Sequence, residues 1–326
     1  MRFSATLTSL FASSVLAITT PPKGALVVGT SSAAKYKTVQ AAVTAASSGA
    51  TIFIEVGTYK EQVFVPAAKK NLKIIGYSST DASYEGNKVT IVQGQAQDSQ
   101  SKPNNDMTAT LRAYGDGMKV YNVNLVNSRG VGSQALALSA FGDQLGFYGC
   151  QLTGNQDTVM SQKGKHYFAK SLIAGNTDFI FGQNGVLWID QCVIQCVKAN
   201  TGYITANGRA DASNPSYYVI NNSTINGPSA PGTFYLGRPW REYSRVMFQS
   251  CDLSSVINPA GWSIWGKSEP KTDHVTYLEY KNTGEGAATG KRVAFGKQAT
   301  APVAIGTLFP STSWIDPAFF YSASNK

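Results

Sequence analysis

Short runs of apolar and β-branched residues recur along most of the chain, and glycine or polar residues end most of them. Runs of this length and composition predict β-strands. Apolar positions at helical spacing are scarce, which indicates an all-β chain with many turns. The predicted strands are Thr51–Val56, Leu72–Ile75, Val89–Val92, Thr108–Leu111, Val120–Val126, Leu136–Leu138, Leu145–Leu152, Tyr167–Ile173, Val186–Ile194, Tyr217–Ile225, Val246–Leu253 and Val275–Tyr280.

One aliphatic position recurs in six of these strands, at intervals of 27, 21, 21, 31 and 28 residues. A period of this size is typical of a solenoid, in which each repeat stacks on the one before it. A two-sheet sandwich with fortuitous spacing is the alternative, and the two equal steps make it less attractive. The recurring residues, which we expect to point inward, are Leu125, Leu152, Ile173, Ile194, Ile225 and Leu253.

Both ends of the predicted solenoid have their own patterns. Lys35–Val43 has apolar residues at helical spacing, and we expect a short helix there that caps the open end of the stack. Residues after Gly284 lose the period, and with Trp314 and Phe319–Tyr321 they predict a tail packed back on the coils. Because no linker rich in proline and glycine interrupts the chain, we expect one domain over residues 18–326.

A motif occurs twice within this pattern, as Gly154-Asn155-Gln156-Asp157 and as Gly175-Asn176-Thr177-Asp178, at a spacing of 21 residues. Equivalent positions on successive coils lie about 4.8 Å apart, so Asp157 and Asp178 are predicted to face the same way. Two carboxyls that close do not ionise independently, and one tends to stay protonated while the other is charged. The sequence therefore predicts a neutral acid beside a carboxylate.

The net charge bears on the class of binding partner, and the N-terminal pattern bears on where the protein is located. The 326 residues carry a formal net charge of +9, which favours a polyanionic partner, but the basic residues are scattered and argue against nucleic acid. Met1–Ala17 has a basic start, a short apolar stretch and a small-residue cleavage site, as a secretory signal does. No later stretch is long enough to span a membrane, so we expect a secreted, extracellular protein.

Four cysteines are compatible with a secreted chain. Aligning the strands places Cys150, Cys192 and Cys251 in one column, with Ser171 and Ser223 between them. Cysteines two coils apart are separated by about 10 Å, which exceeds the reach of a disulfide. We therefore expect free, buried cysteines in a stack of small side chains. The stretch Asn221–Thr224 also holds two overlapping glycosylation signals.

The sequence lacks the residues that several classes of enzyme need for catalysis. The chain has two histidines, His166 and His274, and no G-x-S-x-G motif. His166 follows Lys163-Gly164-Lys165 and is predicted to lie in an exposed turn, which makes a Ser-His-Asp triad unattractive. No Cys/His cluster, EF-hand or phosphate loop is present, so no metal site is predicted.

Four polar or aromatic residues complete the candidate site. Arg238 offers a planar fork that matches a carboxylate, and such a partner would keep Asp178 ionised. Trp240 offers a flat apolar face for a sugar ring; a structural turn is the alternative for Arg-Pro-Trp. Gln134 lies 22 residues before Gln156. Two amide donors beside a carboxylate could stabilise an oxyanion, although a solvated amide ladder is an equally ordinary interpretation.

Four motifs together resemble the pectin methylesterases, over about Ala25 to Phe320. They are Gln134-Ala135-Leu136-Ala137-Leu138, Gln156-Asp157-Thr158, Asp178-Phe179-Ile180-Phe181-Gly182 and Leu236-Gly237-Arg238-Pro239-Trp240. The resemblance implies a single-stranded right-handed parallel β-helix that hydrolyses methyl esters of polygalacturonate. It implies methyl-esterified homogalacturonan as the substrate and no metal. We also expect a monomer that needs no cofactor and binds neither nucleic acid nor a membrane.

The resemblance also implies residue roles. Asp178 becomes the nucleophile, Asp157 the general acid and then base, and Gln134 and Gln156 the oxyanion donors, while Arg238 partners Asp178 and Trp240 forms a wall of the sugar groove. Met160 and Asn176-Thr177 depart from residues that are frequent in the family, which bears on subsite preference. Further groove contacts are expected near Thr108–Thr110, Tyr203 and Trp262–Trp265.

Three other classes remain open from the residues alone. A retaining glycosidase also uses paired carboxylates at about 5 Å. A pectate lyase uses a similar solenoid with a calcium-binding carboxylate cluster, for which the sequence offers no obvious candidate. A non-catalytic solenoid would bind polysaccharide without changing it.

Overall fold

A computed structural model describes residues 17–81 and 83–320. The chain winds through successive coils that each contribute strands to three sheets, named here sheets A, B and C, and the pairings between these strands are parallel. Parallel connections of this kind are right-handed. The predicted parallel β-helix is confirmed.

Within the described residues, sheet A has eleven strands, sheet B seven and sheet C eight. Those of sheet A are Leu26–Val28, Thr51–Ile54, Lys73–Gly76, Lys119–Tyr121, Leu145–Tyr148, Lys163–Ala169, Asn184–Asp190, Tyr217–Asn221, Arg245–Gln249, Thr276–Tyr280 and Gly296–Gln298. Those of sheet B are Val63–Val65, Leu111–Ala113, Leu138–Ala140, Val159–Ser161, Thr177–Gly182, Gly202–Asn207 and Phe234–Gly237. Those of sheet C are Gly57–Lys60, Val89–Gln93, Asn124–Asn127, Gln151–Thr153, Leu172–Gly175, Val193–Cys196, Thr224–Asn226 and Asp252–Leu253.

The predicted aliphatic column lies in sheet C and keeps perfect register. Each member pairs with the next across neighbouring strands, from Leu125 to Leu253, and all six side chains are buried in the core between the sheets. Ile91 extends the column by one coil. The loops between the strands absorb the differences in interval, so the spacing of apolar residues was a sound guide to stacking.

Six predicted strands are each two strands that meet at a corner. Within Leu145–Leu152, for example, Leu145–Tyr148 belongs to sheet A and Gln151–Thr153 to sheet C. One residue in each corner has positive φ, which turns the chain from one sheet into the next. Apolar residues continue through the bend, so the sequence pattern does not reveal it. The corner residues are Asn122, Gly149, Lys170, Gln191, Asn222 and Ser250.

The sequence analysis largely missed the strands of sheet B. Some have only three residues, and the longer ones, Thr177–Gly182 and Gly202–Asn207, mix apolar residues with glycine and polar residues. Thr108–Leu111 was predicted as one strand, but the chain forms a 3₁₀ turn at Asp106–Thr108 before the strand Leu111–Ala113 begins. Further 3₁₀ turns occur at Tyr84–Gly86, Gln97–Ser99, Glu285–Ala287 and Pro317–Phe319.

Cysteine and serine alternate in the residue after five of the six corners, from Cys150 to Cys251, and form a buried ladder. The amide N–H of Cys150 donates to Ser171 Oγ (2.9 Å), that of Ser171 to Cys192 Sγ (3.4 Å) and that of Cys192 to Ser223 Oγ (3.1 Å). All four cysteines are free and buried, as the stacking argument predicted. The small side chains satisfy backbone donors that point away from both sheets.

Both predicted end structures are present. The helix Val39–Ala45 begins at Thr38, whose hydroxyl accepts from the amide of Ala41 (3.1 Å), and buries Val39, Ala42 and Val43 against the first coil. This helix covers the end of the stack. Beyond Gly284 the chain adds one more strand, Gly296–Gln298, which extends sheet A one coil further than predicted.

The C-terminal tail packs on the outer face of sheet A. Phe309, Ile315 and Phe319 join a buried cluster with Tyr148 and Trp188, and the short helix Ile305–Leu308 lies in the same cluster. The predicted signal segment falls almost entirely outside the described residues. Residues 17–81 and 83–320 contain no helix that is long and apolar enough to cross a bilayer.

Candidate active site

The repeated motif forms stacked corners between sheets C and B. The amide of Asn176 donates to the carbonyl of Asn155 (2.8 Å), and Gln156 pairs with Thr177 in a parallel bridge. Asp157 and Asp178 therefore occupy equivalent positions on adjacent coils, spaced by about 4.8 Å. Both have left-handed φ, +64° and +51°, a conformation that aspartate tolerates better than most residues. The corner aims both carboxyls outward beside sheet B.

Arg238 holds the carboxylate of Asp178 from two coils further along the chain. Its Nε and Nη2 donate to Asp178 Oδ1 (2.9 Å) and Oδ2 (2.7 Å). The guanidinium is 4.0 Å from the centroid of the Tyr203 ring and 4.5 Å from that of Trp265. Both rings fix the plane of the fork, so the bidentate geometry is set before any ligand arrives.

The two carboxyls have different electrostatic surroundings. Burial raises the pKa of Asp178, but the hydrogen bonds and charge of Arg238 oppose that rise. Burial and the charge of Asp178 raise the pKa of Asp157 well above its ordinary value, against a smaller lowering by Asn105. Asp178 is therefore the first of the pair to ionise, and Asp157 keeps its proton to higher pH.

Gln134 and Gln156 lie on neighbouring coils, as the spacing predicted, and are joined by a parallel bridge. Trp240 lies beside Phe181, with ring centroids 6.0 Å apart, and remains half-buried. All six predicted site residues border one open cavity of about 330 Å³. Its lining is Gln97, Asn105, Gln134, Gln156, Asp157, Asp178, Phe181, Ala206, Arg238, Trp240 and Trp265.

Two polar lining residues, Gln97 and Asn105, escaped the sequence analysis. Asn105 Nδ2 donates to Asp157 Oδ2 (3.2 Å), and Gln97 Nε2 donates to Asn105 Oδ1. Both come from the loop between Val89–Gln93 and Leu111–Ala113, which has no repeat signature to mark it.

Several expected groove contacts are corrected by the structure. Tyr203 and Trp265 do contact Arg238, but Trp262 is fully buried and stacks on Tyr277 (centroids 4.2 Å apart). Thr108 and Thr110 are also fully buried, behind the wall of the cavity.

The prediction that His166 lies in an exposed turn was wrong. His166 belongs to the strand Lys163–Ala169 and is fully buried, with Nδ1 2.8 Å from Ser161 Oγ and Nε2 3.0 Å from the carbonyl oxygen of Gly142. Burial lowers its pKa to about 4. Since Ser161 is equally buried, this serine–histidine contact has no access to a substrate and serves the core.

A parallel β-helix with two adjacent carboxyls in different electrostatic surroundings, both bordering an open cavity, is the arrangement of a carboxylate-dependent enzyme of the β-helix class. The part of the chain described here contains no group of three or more His, Cys, Asp or Glu side chains placed to hold a metal ion. Comparison with known proteins identifies the family.

A sequence model of the pectinesterase family matches residues 25–315. A pectinesterase from Aspergillus aculeatus is 44% identical, with 96% of this chain and 98% of that protein covered, and one from Aspergillus niger is 42% identical, with 95% and 97% covered. The crystal structure of pectin methylesterase from Aspergillus niger superposes with a TM-score of 0.85 at 35% identity, covering 93% of this chain and all of that chain. Pectin methylesterase from carrot gives 0.82 at 31% identity, covering 93% and 98%. The chain belongs to the pectinesterase family, whose members are carboxylic ester hydrolases.

Proposed function

We propose that this chain removes methyl groups from the C6 esters of polygalacturonate in pectin, giving pectate and methanol. The observation that carries the proposal is the asymmetry of the two carboxyls: Arg238 binds Asp178 in a bidentate pair, while the pKa of Asp157 is raised well above its ordinary value. Ester hydrolysis by a carboxylate needs one ionised nucleophile and one proton donor at the same carbon.

In the first half of the reaction, an oxygen of Asp178 attacks the ester carbonyl carbon. The carbonyl oxygen becomes negative, and the side-chain amides of Gln134 and Gln156 donate to it; one such donor contributes on the order of 3 kcal/mol. Asp157 then gives its proton to the departing methoxy oxygen. Methanol leaves, and an anhydride joins Asp178 to the substrate.

In the second half, the carboxylate of Asp157 takes a proton from water, and the resulting hydroxide attacks the anhydride. The bond to Asp178 breaks, which restores the Asp178 carboxylate and the neutral Asp157 and releases the galacturonate unit as its free acid, which then loses its proton to the solvent. Trp240 and Phe181 border the cavity beside these groups, where their flat rings suit the C–H faces of a sugar.

The replacement Asp178→Asn tests this assignment. Its amide keeps the size of the side chain but cannot attack, so methanol release from highly methylated pectin should fall by at least about 10⁴-fold while pectin binding persists. The control is Asp273→Asn, an exposed aspartate away from the cavity. Methanol release near the wild-type rate in Asp178→Asn would contradict the assignment. New reducing ends without methanol would indicate a glycosidase or lyase.

We also propose that the protein is secreted after removal of residues 1–17, that residues 18–326 form the mature domain, and that it acts as a monomer. The signal-like pattern of Met1–Ala17 supports secretion. The capping helix and the C-terminal tail cover a stack end and an aromatic sheet face that would otherwise be open to association.

A further inference from the structure

We propose that Asn105 is a positioning residue for the acid–base carboxyl: its amide occupies Asp157 Oδ2 and thereby assigns the transferred proton to Oδ1. The inference rests on the proposed function. It begins from the 3.2 Å hydrogen bond between Asn105 Nδ2 and Asp157 Oδ2, which joins residues 52 positions apart in the chain.

The direction of this hydrogen bond is set by a second contact. Gln97 Nε2 donates to Asn105 Oδ1, so the amide oxygen of Asn105 is engaged and its NH₂ group faces the aspartate. A donor pointed at Oδ2 leaves Oδ1 to carry the proton when Asp157 is neutral. The same donor stabilises the carboxylate that forms once methanol has taken the proton.

Several hydrogen bonds hold the backbone of the loop that carries Asn105. Its carbonyl accepts from the amide (3.0 Å) and the hydroxyl (2.8 Å) of Thr108. Thr108 is fully buried, and its hydroxyl accepts in turn from the amide of Leu136 (3.1 Å). The amide of Gln97 donates to the carbonyl of Gln134 (3.0 Å). The loop that supplies Asn105 is thus tied to the coil that supplies Gln134, which fixes the distance between the amide and the acid.

Three polar groups face Asp157. They are the carboxylate of Asp178, the guanidinium of Arg238 and the amide of Asn105. Among these three groups in the described part of the chain, Asn105 is the one that forms a side-chain hydrogen bond to Asp157. Its amide is uncharged, so its removal changes the orientation of the carboxyl without changing the net charge of the site.

The test is the pH dependence of kcat and kcat/KM for methanol release by Asn105→Ala. Loss of a donor to the charged form raises the pKa of Asp157, so the alkaline limb of the profile should move to higher pH. A weaker and less well oriented acid should lower kcat at least about tenfold, with KM changed by less than about twofold. Gln97→Ala should shift the limb in the same direction by less.

Asn104→Ala is the matched control, because Asn104 Oδ1 accepts from the amide of Asp106 (2.9 Å) and supports the same loop without reaching Asp157. It should leave the alkaline limb in place. An unmoved limb in Asn105→Ala, or an equal shift in Asn104→Ala, would overturn the inference. The wild-type enzyme separates this failure from that of the proposed function, since wild-type protein without methanol release would refute the function itself.

A second, independent observation concerns the two overlapping glycosylation signals, and we infer that Asn222 alone can carry a glycan. Asn221 is buried: its Nδ2 donates to Asp190 Oδ1 (2.8 Å), and its Oδ1 accepts from Gln249 Nε2 (2.9 Å). Asn222 is the exposed corner residue with φ of +47°. A glycan on Asn221 would break both hydrogen bonds and could not fit in the folded coil.

Two substitutions separate the signals in protein secreted from a eukaryotic host. Ser223→Ala removes the signal of Asn221 and keeps that of Asn222, whereas Thr224→Ala does the reverse. Peptide mass spectrometry after endoglycosidase treatment should find the sugar at Asn222 in the wild type and in Ser223→Ala, and none in Thr224→Ala. Asn222→Gln should also lose it. Sugar on Asn221, or on neither asparagine in the secreted wild type, would overturn the inference.

Discussion

At the scale of single residues, the site shows how two identical side chains acquire different electrostatic surroundings. Asp157 and Asp178 share a motif, a backbone conformation and nearly the same burial. Arg238 forms its two hydrogen bonds with Asp178 only. The single cation therefore breaks the symmetry of the repeat, and the charge it stabilises raises the pKa of the other carboxyl.

Arg238→Lys should expose this dependence. Lysine keeps the charge but cannot form the paired hydrogen bonds, so the pKa of Asp178 should rise. Because the reaction needs ionised Asp178, the acid limb of the kcat/KM profile should move to higher pH, and kcat/KM should fall at least about tenfold. Arg241→Lys, in the same sequence motif, is the control. An acid limb that stays in place in Arg238→Lys would show that the bidentate pair does not set ionisation.

Asp157→Asn should stabilise the fold while abolishing activity. The pKa of Asp157 is higher in the folded protein than in the unfolded chain, where it is about 4. The native state therefore binds more protons, and its stability falls as pH rises through this interval. The gain in Tm should be small near pH 4 and reach about 2 °C or more at neutral pH. Scanning calorimetry across pH measures it; a gain independent of pH would contradict the argument.

At the scale of elements, the corner between sheets A and C has two structural roles. Its left-handed residue turns the chain, and the next residue supplies a small acceptor for the amide of the coil beside it. Cysteine and serine alternate there because either fits the narrow interior and accepts one hydrogen bond. The free cysteines are thus structural, and burial raises the pKa of Cys150 to about 12.

Ser171→Ala tests the ladder. Ser171 Oγ accepts from the amide of Cys150 and donates to the carbonyl of Ala169, both at 2.9 Å. Its removal leaves a buried N–H without a partner, so the free energy of unfolding should fall by about 1–3 kcal/mol. Ser171→Cys restores an acceptor of the kind its neighbours use and should cost clearly less. Denaturant unfolding measures both, and equal losses would rule out a role for the hydrogen bond.

At the scale of the whole molecule, the candidate site and the C-terminal tail lie on different sheets. The cavity lies beside sheet B, whereas the C-terminal tail covers the aromatic outer face of sheet A. Tyr121 Oη donates to Asp316 Oδ2 (2.8 Å), and Tyr167 Oη donates to the carbonyl of Phe319 (3.1 Å). The tail therefore stabilises the stack without contacting the reacting groups.

Phe319→Ala should separate stability from activity. The ring is buried, with its centroid 4.9 Å from that of Tyr148, and its loss should cost about 3 kcal/mol or more. Because the tail lies far from the cavity lining, kcat/KM at 25 °C should stay within about twofold of the wild type. Ser311→Ala, an exposed change in the same tail, is the control. A large loss of kcat/KM at 25 °C would show that the two sheets are coupled.

Much of this could be predicted from the sequence, and the residues show why. The column from Leu125 to Leu253 was correct in register because each coil must bury one aliphatic side chain at the same height. His166 was misplaced because two lysines and a glycine hide a strand whose last half is buried. The six corners were invisible because apolar residues run through them, and one left-handed residue is enough to change sheets.

The sequence by itself determined the stack and the apposition of Asp157 and Asp178, since a repeat of 21 residues in a chain of parallel coils brings equal positions together. The sequence suggested Arg238 as the partner of Asp178, but only the tertiary structure decided the geometry of that ion pair and how the other carboxyl is held. Those choices depend on Arg238 and Asn105, which lie 60 and 52 residues from their partners. No periodicity relates such distant residues, and only the folded coils bring them within hydrogen-bonding distance.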